Sequence, residues 1–91
     1  MVIDIVDEVI EKIRSDPQIR NAKFSNKFLN TVGEMCSRYG YSATRLFLLG
    51  REESEARALL KVLDMIEEKN LSVEIGTLIF KKLNAIKFVR R

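Results

Sequence analysis

Positive charge near the end of the chain is the feature of this sequence that most directly suggests a binding chemistry. After Glu74 the chain contains Lys and Arg side chains but no Asp or Glu. Such side chains bind the phosphates of nucleic acid or the carboxylates of an acidic protein. Basic residues earlier in the chain are expected to join them in one patch. The predicted binding residues are Arg38, Arg45, Arg51, Lys81, Lys82, Lys87, Arg90 and Arg91, with Lys23 and Lys27 as further members.

Charge alternates in blocks along the chain, which leaves three interpretations of the basic residues open. The net charge is +3, but residues 14–51 and the last segment are basic, whereas the first helix and residues 52–74 are acidic. In the simplest interpretation, Lys and Arg complement the negative end of a helix and keep the protein in solution. In the other two, the patch binds nucleic acid or an acidic protein surface.

The segment 31–49 resembles the helix-turn-helix of DNA-binding regulators, in which a glycine turn leads into a recognition helix. Gly40 stands at the turn, and a small residue, Cys36, precedes it at the expected spacing. On this alignment Tyr39 and Tyr41 flank the turn, while Leu46 and Leu49 face the core.

The residues that this alignment turns outward are poor readers of DNA bases. Phe47 and Leu48 offer no hydrogen bonds to base edges, so Arg45 is the useful donor. The outward set is Ser42, Ala43, Thr44, Phe47 and Leu48. The alternative is a structural corner of a helical bundle, with Phe47 or Leu48 buried or held in a partner's groove. The predicted protein-contacting residues are Phe47, Leu48 and Phe88.

Catalytic and metal-binding patterns are missing from the sequence. The chain has no His, which removes the commonest general base, the Ser-His and Cys-His pairs and the usual zinc sites. Its four Gly are widely spaced and form no phosphate-binding loop. Acid clusters occur in the first helix and at 52–55, but they fall on predicted solvent faces. The sequence therefore predicts a non-enzyme without cofactor or metal.

The strongest structural pattern is at 52–69, which predicts an amphipathic helix on which the other elements pack. Its apolar residues recur at spacings of three and four, with Glu and Asp at its start and Asn70 as a left-handed stop. The inward residues are Ala56, Leu59, Leu60, Leu63 and Ile66. Further helices are predicted at 2–14, 17–23, 25–40, 43–49 and from 73 to about 86.

These elements predict an all-α fold: one domain, 1–91, of four main helices plus short helical turns. The second long helix is expected to bury a stripe that ends at Tyr39, and Gly33 within it is expected to admit a close neighbour. The short helix at 43–49 is apolar nearly all round, which predicts burial on several sides. The last helix is expected to bury Leu78 and to place Phe80 on its flank.

Composition places the chain in a reducing compartment. Cys36 is the one cysteine and is expected to be a small buried apolar residue, so the predicted location is the cytoplasm. No signal peptide or membrane-spanning run is predicted. Abundant Val, Ile, Glu, Lys and Arg favour a thermophilic source.

In size, cysteine usage, composition and its basic end, Phe88-Val89-Arg90-Arg91, the chain is similar to the small helical accessory subunits of archaeal replicative DNA polymerases. In line with that resemblance, we expect a non-catalytic adaptor that docks on a larger protein of a nucleic-acid-processing assembly and places its basic residues near phosphate backbone or an acidic partner. The first alternative is a dimeric helix-turn-helix regulator. The second is a helical module that binds protein alone.

Overall fold

The computed structural model describes the backbone of residues 2–88 and the side chains of residues 5–87. This part of the chain is all-α, with no strand. Four helices are long and two are short, which confirms the predicted fold class. The helices are α1 (Val2–Ser15), α2 (Pro17–Asn21), α3 (Asn26–Leu49), α4 (Ser54–Glu68), α5 (Val73–Lys81) and α6 (Leu83–Phe88).

Helix α4 lies against α1, α2, α3 and α5, as its pattern predicted, whereas α6 packs on α1 and α5. The residues of α4 that are buried are Ala56, Ala58, Leu59, Val62, Leu63 and Ile66. The left-handed stop is confirmed, because Asn70 has a φ of 55°. The start was predicted two residues early: Glu53 occupies the N-cap position, and Glu55 alone of the acidic cluster lies in the first turn.

Helix α3 contains a break at Gly40, where φ is 87° and ψ is −176°. Only glycine adopts this backbone conformation readily. Helical backbone resumes at Tyr41, so the break divides α3 into two helical segments, 26–39 and 41–49. The helix predicted at 43–49 is therefore present, but it starts two residues earlier and no turn of several residues precedes it. The Thr44 hydroxyl donates to the Gly40 carbonyl, one helical turn earlier, over 2.8 Å.

The helix after Gly40 is rotated relative to the helix-turn-helix alignment. Leu48 is fully buried, whereas Leu46 and Leu49 are 72% and 62% exposed, the reverse of the predicted arrangement. Tyr39, just before the break, is 66% exposed although its stripe predicted burial. The reason is local: the stripe that includes buried Cys36 stops packing on the core where the helix axis changes direction at Gly40.

The predicted last helix is two helices, because Lys82, with φ −105° and ψ 14°, ends α5. Phe80 is fully buried rather than on a flank, and Leu78 is 55% exposed rather than inward. Both errors have one cause. α5 packs on α3 through a face centred on Gly76 and Phe80, and that contact sets the rotation of α5.

Two glycines allow the close contact between α3 and α5. A Cβ atom on Gly33 would lie 2.6 Å from Cγ of Lys81, and one on Gly76 would lie 2.6 Å from the Tyr41 hydroxyl. The close approach predicted at Gly33 is therefore present, and the neighbour is the Lys81 side chain. No helix within residues 2–88 has the length and apolar character needed to cross a bilayer.

Candidate nucleic-acid interface

Arg45, the predicted base-reading residue, is directed at helix α4. Its Nη1 atom lies 2.7 Å from Oδ1 of Asp64, and its Nη2 atom donates to Oε1 of Glu67. These two hydrogen bonds, the one to Glu67 foremost, raise the pKa of the Arg45 guanidinium. The donors that would read bases are thus engaged within the protein, and Arg45 connects α3 to α4.

Arg51 is also engaged within the chain. Its guanidinium carbon lies 5.5 Å from the centroids of the Phe28 and Phe47 rings, within the range of cation–π attraction. The guanidinium also forms an ion pair with Glu53, two residues along the chain, which lowers the pKa of that carboxyl. Phe47 is half-buried in this cluster.

Two of the three predicted protein-contacting residues can be placed. Leu48 is fully buried and is therefore not available to a partner, which corrects the prediction. Phe47 is half-buried against Phe28, with 6.3 Å between ring centroids. The Phe88 side chain, Arg90 and Arg91 lie outside the described side chains.

Arg38 and Lys81 meet at Glu34. Nζ of Lys81 lies 3.1 Å from Oε2 of Glu34, and Nε of Arg38 lies 3.5 Å from Oε1. The Lys81 hydrogen bond is the main cause of a lowered pKa at the Glu34 carboxyl. The structure therefore brings together two predicted binding residues that are far apart in the sequence.

Glu34 and Arg38 also line an open groove on the outer face of the first half of α3, and Lys81 reaches it through its contact with Glu34. One acid, Glu34, is among the residues that line it. From Lys27 to Arg38 the groove follows about 16 Å of helix at 1.5 Å per residue. The lining residues are Lys27, Asn30, Thr31, Glu34, Met35, Arg38 and Tyr39.

A second basic depression lies beside the first, between α2 and α6. Lys87 donates from Nζ to the Ala22 carbonyl, and Nζ lies 4.5 Å from the centroid of the Phe24 ring. Burial lowers the pKa of this ammonium group. Arg20 and Lys23 line the same depression, and no acid among residues 5–87 does.

Asn84 connects the two depressions. Its Nδ2 atom lies 3.3 Å from the Phe24 carbonyl and 3.1 Å from Oδ1 of Asn26, the residue before Lys27. Residues 81–87 therefore run beside residues 20–34, from Glu34 back to Ala22. We call this junction the basic seam. Its cations are Arg20, Lys23, Lys27, Arg38, Lys81 and Lys87.

The basic seam includes Arg38, Lys81 and Lys87 of the predicted patch and leaves out Arg45 and Arg51. Lys82 is exposed at the end of α5, and no ion pair to it is present among the described residues. Arg20, Asn84 and Glu34 were missed by the sequence analysis. The spacing of Asn84, three residues from both Lys81 and Lys87, was a signal for its place between them.

Comparison with protein-family models, with curated proteins and with solved structures finds no match. Across the described residues, no group of three or more Cys, Asp or Glu side chains is arranged to hold a metal ion.

Proposed function

We propose that the protein is a non-catalytic adaptor that binds the phosphate backbone of nucleic acid through the basic seam while docked on a larger protein, such as a DNA polymerase complex. The observation that carries the proposal is the alignment of residues 81–87 beside residues 20–34. This alignment concentrates cations from two distant segments along one surface. A linear array of cations suits a linear polyanion better than it suits a small ligand.

The chemistry of the basic seam favours contact with phosphates over recognition of sequence. Its cations are Lys and Arg, which bind phosphate oxygens whatever the base. The residue predicted to read bases, Arg45, is held by Asp64 and Glu67. We therefore expect affinity that depends weakly on sequence and strongly on salt.

The protein partner of the adaptor has a candidate surface after the Gly40 break. Leu46 and Leu49 are adjacent on the outer face of α3, three residues apart, and both are mostly exposed. Large exposed apolar side chains at helical spacing are typical of a contact with another protein. This surface replaces the buried Leu48 as the candidate for docking.

The test is the binding of labelled single-stranded and duplex DNA by fluorescence anisotropy, across a range of salt. Lys81→Glu is the test variant and Lys69→Glu is its matched control. Lys81 is 35% exposed and 3.1 Å from Glu34, whereas Lys69 is 31% exposed and 3.0 Å from Glu8, outside the basic seam. We expect Lys81→Glu to weaken binding about 3- to 10-fold and to reduce the salt slope by about one, with Lys69→Glu close to the wild type.

If Lys81→Glu and Lys69→Glu weakened DNA binding equally, the effect would be one of net charge, and the basic seam would not be the binding surface. Absence of binding at low salt would overturn the nucleic-acid contact altogether. The purely protein-binding module would then be the better description, with Leu46→Ala and Leu49→Ala as its first variants.

A further inference from the structure

We infer that the basic seam takes a single strand rather than a duplex, and that Tyr39 stacks on one of its bases. This inference rests on the proposed function and names its ligand class. The fold leaves the aromatic side chain of Tyr39 largely uncovered, since this residue is 66% exposed on the outer face of α3. Among the described residues, no ring, hydrogen-bond donor or acceptor engages the Tyr39 side chain.

The surroundings of Tyr39 combine stacking and phosphate-binding groups in one groove. Arg38 precedes it and carries the positive charge at that end, while Lys27 lies at the other end, about 16 Å away along the helix. Met35, one helical turn before Tyr39, is half-buried and presents an apolar floor. Exposed Asn30 adds an amide that can form hydrogen bonds with base edges.

An aromatic ring beside phosphate-binding cations discriminates between the two forms of nucleic acid. The bases of a duplex are stacked on each other and offer no free face along its length, so the ring contributes nothing to duplex binding. The bases of a single strand are free to leave the stack, and each has a π face for the ring. Stacking of this kind tolerates any base, consistent with a site that has few base-reading groups.

The chain provides a direct probe of the contact, because it has two Tyr and no Trp. Tyr41 is partly buried, with its hydroxyl 2.7 Å from the Leu71 carbonyl, and it lies outside the groove. Protein labelled with 3-fluorotyrosine gives one ¹⁹F resonance for each residue, and Tyr39→Phe assigns them. Titration with a (dT)₂₀ oligonucleotide should shift the Tyr39 resonance and leave the Tyr41 resonance in place.

Binding of the variants is then measured by anisotropy on (dT)₂₀ and on a duplex of the same length. We expect Tyr39→Leu to weaken binding to (dT)₂₀ at least about fivefold and to leave duplex binding unchanged, with Tyr39→Phe near the wild type. Tyr41→Phe, which alters the tyrosine outside the groove, serves as the control and should have no effect on either ligand.

The two proposals fail in different ways. If Lys81→Glu weakens (dT)₂₀ binding while Tyr39→Leu does not, the basic seam binds phosphate without stacking, and the inference about Tyr39 is overturned. Equal loss of single-strand and duplex binding in Tyr39→Leu would also overturn it. If the wild type binds neither form, the proposed function fails and this inference fails with it.

Discussion

The ammonium group of Lys81 lies 3.1 Å from a carboxylate oxygen of Glu34, a residue 47 positions earlier in the chain. The aliphatic part of the same Lys81 side chain covers Gly33. One residue therefore joins α5 to α3 and also supplies charge to the basic seam. Because both groups are exposed, the ion pair itself adds little to the free energy of folding. Its more important effect is on the charge available to a ligand.

Neutralising Glu34 should strengthen nucleic-acid binding. Glu34→Gln removes the acid among the groove-lining residues and releases Lys81 and Arg38 to bind phosphates. We expect an affinity gain of about two- to fivefold at low salt, together with a steeper salt dependence. Anisotropy on labelled DNA measures both. Glu8→Gln, which releases Lys69 outside the basic seam, should leave the affinity unchanged. An unchanged affinity in Glu34→Gln would contradict the assignment of the groove.

The break in α3 should depend on glycine for its backbone conformation alone. A Cβ atom on Gly40 would meet no atom within 4 Å, so Gly40→Ala adds strain at a φ of 87° and no steric clash. We expect the free energy of unfolding to fall by about 1–3 kcal/mol, measured by urea denaturation. Gly50→Ala is the control, since Gly50 has a φ of −81° and room for a Cβ. A loss of stability as large in Gly50→Ala would show that the cause is not backbone strain.

The elements of the fold could be predicted because their signals are local. Asp16, Ser25 and Ser72 each accept a hydrogen bond from a backbone N–H at the start of a helix, and such residue types directly before a helix can be recognised in a sequence. The face that a helix buries is different, because it depends on the helix that packs against it. Leu78 and Phe80 are both apolar and two residues apart, so periodicity placed them on the wrong sides.

The candidate site could be predicted only in part, because charge blocks do not show which acid faces which base. Arg45 and Lys81 are equivalent in the sequence as basic residues. In the structure, Arg45 is held by two acids of α4, whereas Lys81 shares the single carboxylate of Glu34 with Arg38. Their partners are 19 or more residues away, a separation that only the tertiary structure brings together.

Arg45 should contribute to stability and not to nucleic-acid binding. Arg45→Ala removes the hydrogen bonds to Asp64 and Glu67 and leaves these two carboxylates of α4 without their shared cation. We expect the free energy of unfolding to fall by about 1–2 kcal/mol in urea denaturation. Arg38→Ala, which removes an exposed pair within one helix, should cost less than about 0.5 kcal/mol. In contrast, Arg38→Ala should weaken DNA binding more than Arg45→Ala does. A greater loss of DNA binding in Arg45→Ala would favour the helix-turn-helix interpretation.

Stability above pH 10 should depend on Tyr41. Its hydroxyl lies 2.7 Å from the Leu71 carbonyl and 2.6 Å from the Ser72 carbonyl, so it must keep its proton to donate to either oxygen. Burial, with a smaller effect from nearby Cys36, raises the pKa of Tyr41 from 10.0 to about 12.

The sign of this effect follows from the protonation of Tyr41 in the folded and in the unfolded state. Below pH 10 the tyrosine is protonated in both, and its full contribution to stability is present. Between pH 10 and about 12 the unfolded chain ionises first, so the free energy of unfolding falls as the pH rises. Urea denaturation at pH 9 and at pH 11.5 should therefore show a larger loss for the wild type than for Tyr41→Phe. Tyr39→Phe, which removes an exposed hydroxyl, should lose as much stability between the two pH values as the wild type. If both variants lost less stability than the wild type, the effect would not come from the contact of the Tyr41 hydroxyl with the Leu71 and Ser72 carbonyls.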